Sequence, residues 1–271
     1  MGQAAHFHGT RGLLLVNPRS GSGTPTADDV AREAELCGVD VHVLEPGEDV
    51  QHVARSASGV LGMAGGDGSL GPVAEVALER DLPFVVVPFG TRNHFARDLG
   101  LDRGDPLGAL AAFDSGREVK IDVGRAGTRV FLNNVSFGLY AHLVHRREAH
   151  RPRRAAFARL RAFWLATRDR HPEPFVVDGE IVSARVVLVA NNAYELQLFE
   201  LGARDRLDEG KLHAYLAADW FPRTWDERVA ESFTIERPGG LRAAIDGEPV
   251  ELESPVELRI EPRALRVILP P

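Results

Sequence analysis

Residues 63–70 place three glycines and one acid, Asp67, where an apolar run ends and a helical pattern begins. Glycine lets a backbone approach a polyphosphate closely, and the N–H groups at the start of a helix attract anions. A carboxylate at the same turn can ligate Mg²⁺ or accept a proton. The stretch therefore predicts phosphoryl transfer. It is equally compatible with an ordinary strand-to-helix turn that carries a solvated Asp67.

Two more polar turns follow apolar runs in the first half of the chain. Residues 17–23 combine two glycines, two serines and Arg19, without the spacing or the lysine of a P-loop. Residues 88–94 follow the apolar run 84–87 and lead into a short helical pattern. Because ligands of an open α/β sheet lie outside the carboxyl ends of its strands, we expect these turns and the one at Gly65 to share a nucleotide crevice.

A fourth turn carries an acid pair in the second half. Asp246 and Glu248 flank Gly247 after the apolar run 241–245. A carboxylate here could accept the proton of a hydroxyl group that attacks a phosphate. Spacing alone favours a simpler interpretation, a type I′ hairpin whose Asp246-Gly247 pair only reverses the chain.

The apolar runs divide the chain into two halves that would position these turns. From residue 12 to about 120, short apolar runs alternate with helical stretches, the pattern of a parallel sheet wrapped by helices. These runs are 13–16, 39–44, 60–64 and 84–87. From residue 120 onward strand follows strand, which predicts a mainly antiparallel β half. The predicted strands are 120–123, 130–135, 175–177, 185–190, 211–216, 232–235, 241–245, 256–260 and 265–269. We therefore expect an α/β nucleotide-binding domain at 1–121 and a β-rich substrate domain at 122–271.

Composition excludes several classes of protein. The 271 residues are 44% hydrophobic, enough to bury a sizeable core. The single cysteine, Cys37, rules out a disulfide framework and is expected to be a buried helix residue. The apolar runs are strand-sized and no apolar segment of a signal peptide is visible, so we expect a cytoplasmic protein. The net charge of −7 argues against a nucleic-acid partner.

One basic segment interrupts the acidic chain. Residues 145–170 hold nine arginines against two acids. If residues 154–168 are helical, arginines recur every seven residues beside an apolar stripe, a pattern that could dock transiently on an anionic membrane surface. The alternative is a helix that packs its stripe on the β domain. The first interpretation predicts peripheral membrane association.

The order of the motifs resembles that of the diacylglycerol-kinase-type lipid kinases, which include bacterial lipid kinases and sphingosine and ceramide kinases. The matching motifs are residues 17–23, 65–69, 90–97 and 246–248. The resemblance spans 12–271 and implies an N-terminal α/β domain of the NAD-kinase and phosphofructokinase type. It also implies a C-terminal β-sandwich-like domain, an active site in the cleft between them, ATP with Mg²⁺, and a lipid hydroxyl as acceptor.

The resemblance implies roles for individual positions. The residues that would cradle the ATP phosphates or border the nucleotide are Asn17, Arg19, Ser20, Gly21, Gly23, Gly65, Gly66, Gly68, Ser69, Thr91, Arg92 and Asn93. The catalytic residues would be Asp246 as general base, with Glu248 and Asp67. Arg92 stands where the family usually has a glycine, so it restricts the backbone, although its planar guanidinium could reach a phosphate.

A structural metal loop of the family is matched by residues 203–212. Its ligands would be the side chain of Glu209 and the backbone carbonyls of Arg206 and Leu212. The family usually has Asp where Glu209 stands, so the longer side chain reaches the metal, a neighbouring Asp replaces it, or the site is empty. Asp122 matches an acidic position that the family links to the active-site charges, and it also fits an ordinary strand-end turn.

These features favour an ATP-dependent lipid kinase that phosphorylates the hydroxyl of diacylglycerol or a related lipid. A small-molecule kinase of the NAD-kinase kind shares the Gly-Gly-Asp-Gly turn and is the first alternative. The second is a degenerate nucleotide-binding protein in which Arg92 and the altered metal loop have ended turnover. A homodimer is compatible with the sequence, but no motif predicts it.

Overall fold

A computed structural model describes residues 6–8, 12–21, 23–138, 172–195, 203–218 and 226–271. The chain forms two compact units. Unit 1 comprises Met1–Val123, Asn192–Gly210 and Glu261–Pro271, and unit 2 comprises Gly124–Asn191 and Lys211–Ile260. The boundary predicted near residue 121 lies close to the first crossing between the units. The chain returns to unit 1 at Asn192–Gly210 and again at Glu261–Pro271, and neither return was predicted.

Strands and helices alternate through the first part of unit 1. Its elements are β1 (His6–His8), β2 (Gly12–Val16), α1 (Ala27–Leu36), β3 (Asp40–Val43), α2 (Val50–Ala54), β4 (Val60–Gly65), α3 (Asp67–Glu79), β5 (Phe84–Pro88), α4 (His94–Asp98) and a 3₁₀ helix (Gly108–Phe113). Two long strands, β6 (Ser115–Ala126) and β17 (Val256–Leu269), contribute residues to both units.

The sheet of unit 1 is parallel through five neighbouring strands, in the order β3-β2-β4-β5-β17. Every residue of β4 and β5 is buried, as expected for strands covered on both faces. Alternate residues of the strands pack on α1 and the 3₁₀ helix in one core cluster that includes Leu14, Val30, Val85, Phe113 and Ile268. The predicted α/β domain is confirmed.

Helix α1 shows how local sequence sets an element of this sheet. Thr26 and Asp29 form a capping box that satisfies backbone N–H groups at the start of the helix. Val30 and Ala34, four residues apart, are the buried residues of the helix. The prediction that Cys37 is buried is wrong, because Cys37 caps the C-terminal end of the helix and is exposed.

Unit 2 consists of antiparallel strands. Besides its parts of β6 and β17, it contains β7 (Arg129–Phe131), β8 (Asn134–Gly138), β9 (Glu173–Val177), β10 (Glu180–Ala184), β11 (Val186–Asn191), β12 (Leu212–Ala217), β13 (Asp226–Ala230), β14 (Ser232–Glu236), β15 (Leu241–Ile245) and β16 (Glu248–Leu252). Strands β13-β12-β11-β8-β15-β16 form one sheet, and β10-β9-β14-β17 are neighbours in another.

The strands of unit 2 share one hydrophobic core. Side chains from both sets of strands meet in a single buried cluster, among them Phe131, Phe137, Phe175, Phe233 and Leu258. Two antiparallel layers around one core are the sandwich-like arrangement that was predicted for the second half.

The basic segment at residues 145–170, with its predicted membrane-docking face, lies outside the described residues. Among the helices that the structure describes, none is both long enough and apolar enough to span a membrane.

Candidate active site

Three polar turns leave the parallel sheet of unit 1 at the same edge. The first turn (residues 17–23) follows β2, the second turn (65–69) follows β4, and the third turn (88–93) follows β5. Strand register aligns their starting points, since Val16 pairs with Ala64 and Gly65 with Pro88. This edge is where the carboxyl ends of the strands place ligands in sheets of this kind.

The second and third turns touch through their glycines. A Cβ atom on Gly90 would lie 2.6 Å from the Cα atom of Gly66, a separation that no side chain can tolerate. Asn93 takes up the left-handed conformation of the third turn, with φ of 50°, and its Nδ2 donates to the carbonyl of Gly90 at 2.9 Å. Arg92, for which the sequence suggested a strained backbone, is not the residue with positive φ.

Asp67 joins the second turn to helix α4. Its Oδ2 accepts a hydrogen bond from the backbone N–H of His94 at 3.1 Å, and its Oδ1 accepts one from the N–H of Phe95 at 2.9 Å. The half-buried carboxylate thereby satisfies two of the N–H groups that a helix leaves unpaired at its start. Each oxygen keeps a second lone pair, so Asp67 can still bind one further donor or cation.

The first turn is fixed to both of the others. Asn17 donates from Nδ2 to the hydroxyl oxygen of Ser69 at 3.0 Å, and its Oδ1 accepts from the backbone N–H of Arg19. Gly21 packs directly under the ring of Phe89, because a Cβ on Gly21 would lie 2.2 Å from that ring. The three predicted turns therefore form one continuous polar surface in unit 1.

This surface has the properties of an anion site. Helix α3 begins at Asp67, and no side chain caps its first turn. Orphan N–H groups at such a helix start carry partial positive charge and bind phosphate. Within the described part of the chain, the buried Oδ1 of Asn93 has no hydrogen-bond partner, and as an acceptor it could bind a donor such as a nucleotide hydroxyl but not a phosphate oxygen. The residues present fit the phosphates of a nucleotide, and Asp67 fits Mg²⁺, which proteins commonly hold through one or two carboxylates.

The remaining nucleotide positions named from the sequence lie on the same turns. Arg19, Gly23, Thr91 and Arg92 are exposed, and Ser20 is half-buried. Exposed positively charged side chains at the rim of a phosphate site add electrostatic attraction without a desolvation cost. The turns thus bring the predicted residues of unit 1 together.

His94 was missed by the sequence analysis, although it stands directly after Asn93. Burial lowers the pKa of His94 below its ordinary value, and nearby Arg97 and Arg92 lower it further against the attraction of Asp67 and Asp98. The imidazole is therefore neutral at physiological pH. The lowered pKa of His94 depends on burial and on charged groups that only the folded chain brings near the ring. The sequence alone therefore did not indicate it.

The lowered pKa of His94 predicts a pH dependence of stability. Between the pKa of His94 in the unfolded chain and its lower pKa in the folded chain, the unfolded state binds a proton that the folded state does not, so the free energy of unfolding falls as pH drops through that range. His94→Gln should remove this part of the decline. Urea unfolding of both proteins at pH 7.5 and pH 5.5 checks it, and parallel pH profiles would contradict the assignment.

In unit 2, Asp246 occupies the hairpin turn between β15 and β16. Its φ of 48° and the φ of 87° at Gly247 match a type I′ turn, so the simpler interpretation describes the backbone. The carboxylate does more than reverse the chain. Its Oδ2 accepts from the N–H of Leu132 at 2.8 Å, and its Oδ1 accepts from the N–H groups of Asn133 at 2.7 Å and Asn134 at 3.0 Å.

Asp246 thereby organises the segment between β7 and β8. That segment is tied on its other side by Asn191, whose Nδ2 donates to the carbonyl of Leu132 and whose N–H donates to the carbonyl of Asn133. Glu248 is exposed and pairs with Ile245 at the start of β16. Asp246 and Glu248 belong to unit 2, whereas Asp67 and the three turns belong to unit 1.

The loop predicted to hold a structural metal is closed by protein contacts. The carboxylate of the buried Asp122 accepts from the N–H groups of Gly210 at 2.6 Å and Arg263 at 2.8 Å. Asp122 is therefore not a strand-end turn acid, because it lies inside β6 and fastens this loop. Asp208 pairs with Arg263 and Arg206, and the hydrogen bond from Arg263 is the main reason that the pKa of Asp208 is low.

Protein contacts already engage the predicted ligand Glu209 and the acid next to it. Oε2 of Glu209 accepts from the N–H of Ala193 at 3.2 Å, and two arginines flank the neighbouring acid. Arg206 and Glu209 belong to unit 1, while Leu212 lies in β12 of unit 2. Among the described residues, no group of three or more His, Cys, Asp or Glu side chains could hold a metal.

Removal of divalent cations should leave this loop folded. We expect the thermal midpoint of the protein to change by less than about 1 °C on addition of EDTA, because hydrogen bonds and ion pairs already close the loop. Calorimetry with EDTA and with excess Mg²⁺ checks the expectation. A fall of several degrees that Mg²⁺ reverses, and that Glu209→Gln abolishes, would support the predicted metal site instead.

Comparison with known proteins adds an independent observation. Residues 11–126 match the model of the diacylglycerol kinase catalytic domain. The chain is 29% identical over 145 residues to a diacylglycerol kinase of Bacillus subtilis, covering 50% of this chain and 48% of that protein. It is 32% identical over 120 residues to a diacylglycerol kinase of Mycobacterium tuberculosis, covering 41% of this chain and 38% of that protein. The aligned part thus spans about half or less of these relatives.

The fold as a whole has a solved counterpart. A crystal structure of a diacylglycerol kinase from Bacillus anthracis superposes with a TM-score of 0.67 and covers 96% of this chain and 97% of the other, at 20% sequence identity. At that identity the likeness shows the fold. The segment that matches the family model contains all three turns of unit 1.

Proposed function

We propose that the chain is an ATP-dependent lipid kinase that transfers the γ-phosphate to the hydroxyl of diacylglycerol or a related lipid, because residues 11–126 match the model of the diacylglycerol kinase catalytic domain. One observation carries the proposal. The glycine turns after β4 and β5 lie in van der Waals contact at Gly66 and Gly90, beside an uncapped helix start, as a polyphosphate cradle requires.

The phosphate side of the reaction is assigned to unit 1. Backbone N–H groups at the start of α3 would bind the phosphate oxygens, and the absence of a side chain at Gly66, where an added Cβ would meet only the Cα of Gly90 at 3.8 Å, leaves room for them. Ser69, held by Asn17, and the positive charges of Arg19 and Arg92 would complete the site. Mg²⁺ bound at Asp67 would neutralise part of the negative charge that develops on the β- and γ-phosphates during transfer.

The transfer itself is a displacement at phosphorus. The lipid hydroxyl oxygen forms a bond to the γ-phosphorus, the bond from that phosphorus to the β,γ-bridging oxygen breaks, and ADP leaves with the electron pair. The hydroxyl proton needs an acceptor, and we assign that role to Asp246, with Glu248 as a neighbouring charge. Backbone N–H bonds already fix the carboxylate of Asp246, so its direction is set before substrate binds.

The substrate and the location follow from the same proposal. A lipid alcohol resides in a membrane, so the enzyme must work at its surface. The basic segment at residues 145–170 would supply attraction to anionic headgroups, at about 1 kcal/mol for each arginine near the surface. We therefore propose a cytoplasmic protein that associates peripherally with the membrane and binds no nucleic acid.

A substrate panel tests the proposal. The protein is incubated with γ-labelled ATP, Mg²⁺ and mixed micelles that contain diacylglycerol, ceramide or sphingosine, and in parallel with NAD without detergent. Label that enters the organic phase with one of the lipid alcohols supports the lipid kinase. Label on NAD would favour the small-molecule kinase, and ATP binding without any transfer would favour the degenerate nucleotide-binding protein.

A further inference from the structure

Asp98, at the end of α4, is a buried carboxylate held between two arginines. Nε and Nη2 of Arg97 both donate to its Oδ1, at 2.9 and 2.7 Å. Nε of Arg204 donates to its Oδ2 at 2.7 Å. The side chains of Asp98 and Arg204 are fully buried, and that of Arg97 is 27% exposed. A buried ion pair is costly to form unless its geometry is fixed, so three coupled groups indicate a specific arrangement.

Arg204 reaches Asp98 from a distant part of the sequence. The two residues are separated by 106 positions, yet both belong to unit 1. The guanidinium carbon of Arg204 lies 5.4 Å from the ring centre of Tyr194 and 5.9 Å from that of Phe95. Two aromatic faces stabilise the buried cation and fix its position. Arg204 lies outside residues 11–126, which match the family model.

Helix α4 depends on such contacts because it has only five residues. A helix of that length is unstable on its own. Its start is held by Asp67 of the second turn through the N–H groups of His94 and Phe95. Its end is held by Arg204 through Asp98. The third turn leads directly into this helix, so both contacts fix where Gly90 and Asn93 lie against the second turn.

We infer that Arg204 is a positioning residue for nucleotide binding, which acts through Asp98 on α4 and the third turn. The inference rests on the proposed function, since it assigns the turns to the phosphates of ATP. It also gives the segment at 203–212, for which the sequence predicts a metal loop, a role in supporting the nucleotide site through Arg204.

Three variants test the role. Arg204→Met removes the guanidinium and keeps much of the volume, whereas Arg204→Lys keeps the charge without the planar donor geometry. The matched control is Arg266→Met, because Arg266 also donates Nε and Nη2 to a carboxylate of unit 1, Glu118, but contacts none of the turns in the described bonds. Binding of ATP, KM for ATP, kcat and thermal unfolding are measured for each protein.

Arg204→Met should raise the dissociation constant and KM for ATP by about tenfold or more, because small displacements of a binding turn have large effects. Arg204→Lys should fall between Arg204→Met and the wild type, and kcat at saturating ATP should change less than KM. Arg266→Met should lower the unfolding midpoint without a change in ATP affinity. Hydrogen exchange of residues 90–98 should increase in Arg204→Met and not in the control.

Two outcomes separate this inference from the proposed function. If wild-type protein binds ATP and Arg204→Met binds it equally well, with unchanged exchange at residues 90–98, the positioning role is refuted. If wild-type protein phosphorylates no lipid, but Arg204→Met still weakens ATP binding and loosens residues 90–98, the positioning role stands and the lipid kinase proposal fails. Should Arg204→Met not fold, Arg204→Lys gives the same comparison.

Discussion

Asp246→Asn is expected to lower kcat for phosphate transfer by roughly 10²- to 10⁴-fold, the usual contribution of a general base. Binding of ATP should be unchanged, because the turns proposed to bind its phosphates belong to unit 1 and Asp246 belongs to unit 2. The amide can also satisfy fewer of the N–H groups of Leu132, Asn133 and Asn134, so stability should fall by about 1–3 kcal/mol. Single-turnover kinetics with labelled ATP and chemical denaturation measure the two effects.

Asp178→Asn is the matched control for this experiment. Asp178 begins the Asp-Gly turn between β9 and β10, has φ of 49°, and accepts a hydrogen bond from the N–H of Thr234 at 2.7 Å. Asp178 and Asp246 therefore share the turn type and lie in the same unit. The carboxylate of each also accepts a hydrogen bond from a backbone N–H group. We expect a loss of stability with kcat unchanged. If both variants lose kcat to the same degree, Asp246 acts through the fold and not as a base.

Gly66→Ala is expected to raise KM for ATP by about 10- to 100-fold while the protein remains as stable as the wild type to within about 1 kcal/mol. Gly66 has φ of −89° and ψ of 176°, which alanine adopts without strain. The nearest atom to an added Cβ is the Cα of Gly90 at 3.8 Å, an ordinary contact. The methyl group would therefore fill only the space that a phosphate needs.

Gly90→Ala should behave differently from Gly66→Ala. Its Cβ would lie 2.6 Å from both the Cα of Gly66 and Oδ1 of Asn93, so the turns must separate and stability should fall along with ATP affinity. Thermal unfolding and ATP titration of the two variants make the comparison. If Gly66→Ala binds ATP normally, the phosphates do not lie over this glycine.

The order of the elements and the fold class were accessible from the sequence, because hydrophobic periodicity carries most of that information. The buried runs of β2, β4 and β5 and the helix after Gly66 were predicted within a residue or two. Five short elements were missed: β1, β10, β13, β16 and the 3₁₀ helix. Strands β10 and β13 lie at sheet edges, where one exposed face weakens the apolar pattern.

The sequence did not indicate that each unit is built from separate segments of the chain. Strand β17 was predicted as two runs, 256–260 and 265–269, but it is one strand whose second part pairs in parallel with β5 through Val267 and Phe84. That pairing returns the C-terminus to unit 1. Parallel pairing between residues so far apart depends on tertiary packing and leaves no local signal.

The candidate site likewise contains residues that the sequence indicated and residues that it did not. The three turns and their glycines were located from residue type and spacing, although the same pattern also fits ordinary strand-to-helix turns. Asp98 and Arg204 were not identified, because an isolated charged residue in a sequence is normally expected to be exposed. Their burial depends on the tertiary fold. Asp67 was assigned a catalytic role from its position, and its bonds to the N–H groups of His94 and Phe95 add a positioning role that no spacing rule reveals.

Transfer of the γ-phosphate from ATP to diacylglycerol in mixed micelles, measured side by side for wild type and Gly66→Ala, is the decisive assay for a lipid kinase whose ATP phosphates lie over Gly66. We expect labelled lipid in the organic phase with wild-type protein and its loss at low ATP with Gly66→Ala, partly restored as ATP is raised. Labelled lipid formed equally by both proteins, or by neither, would contradict this expectation.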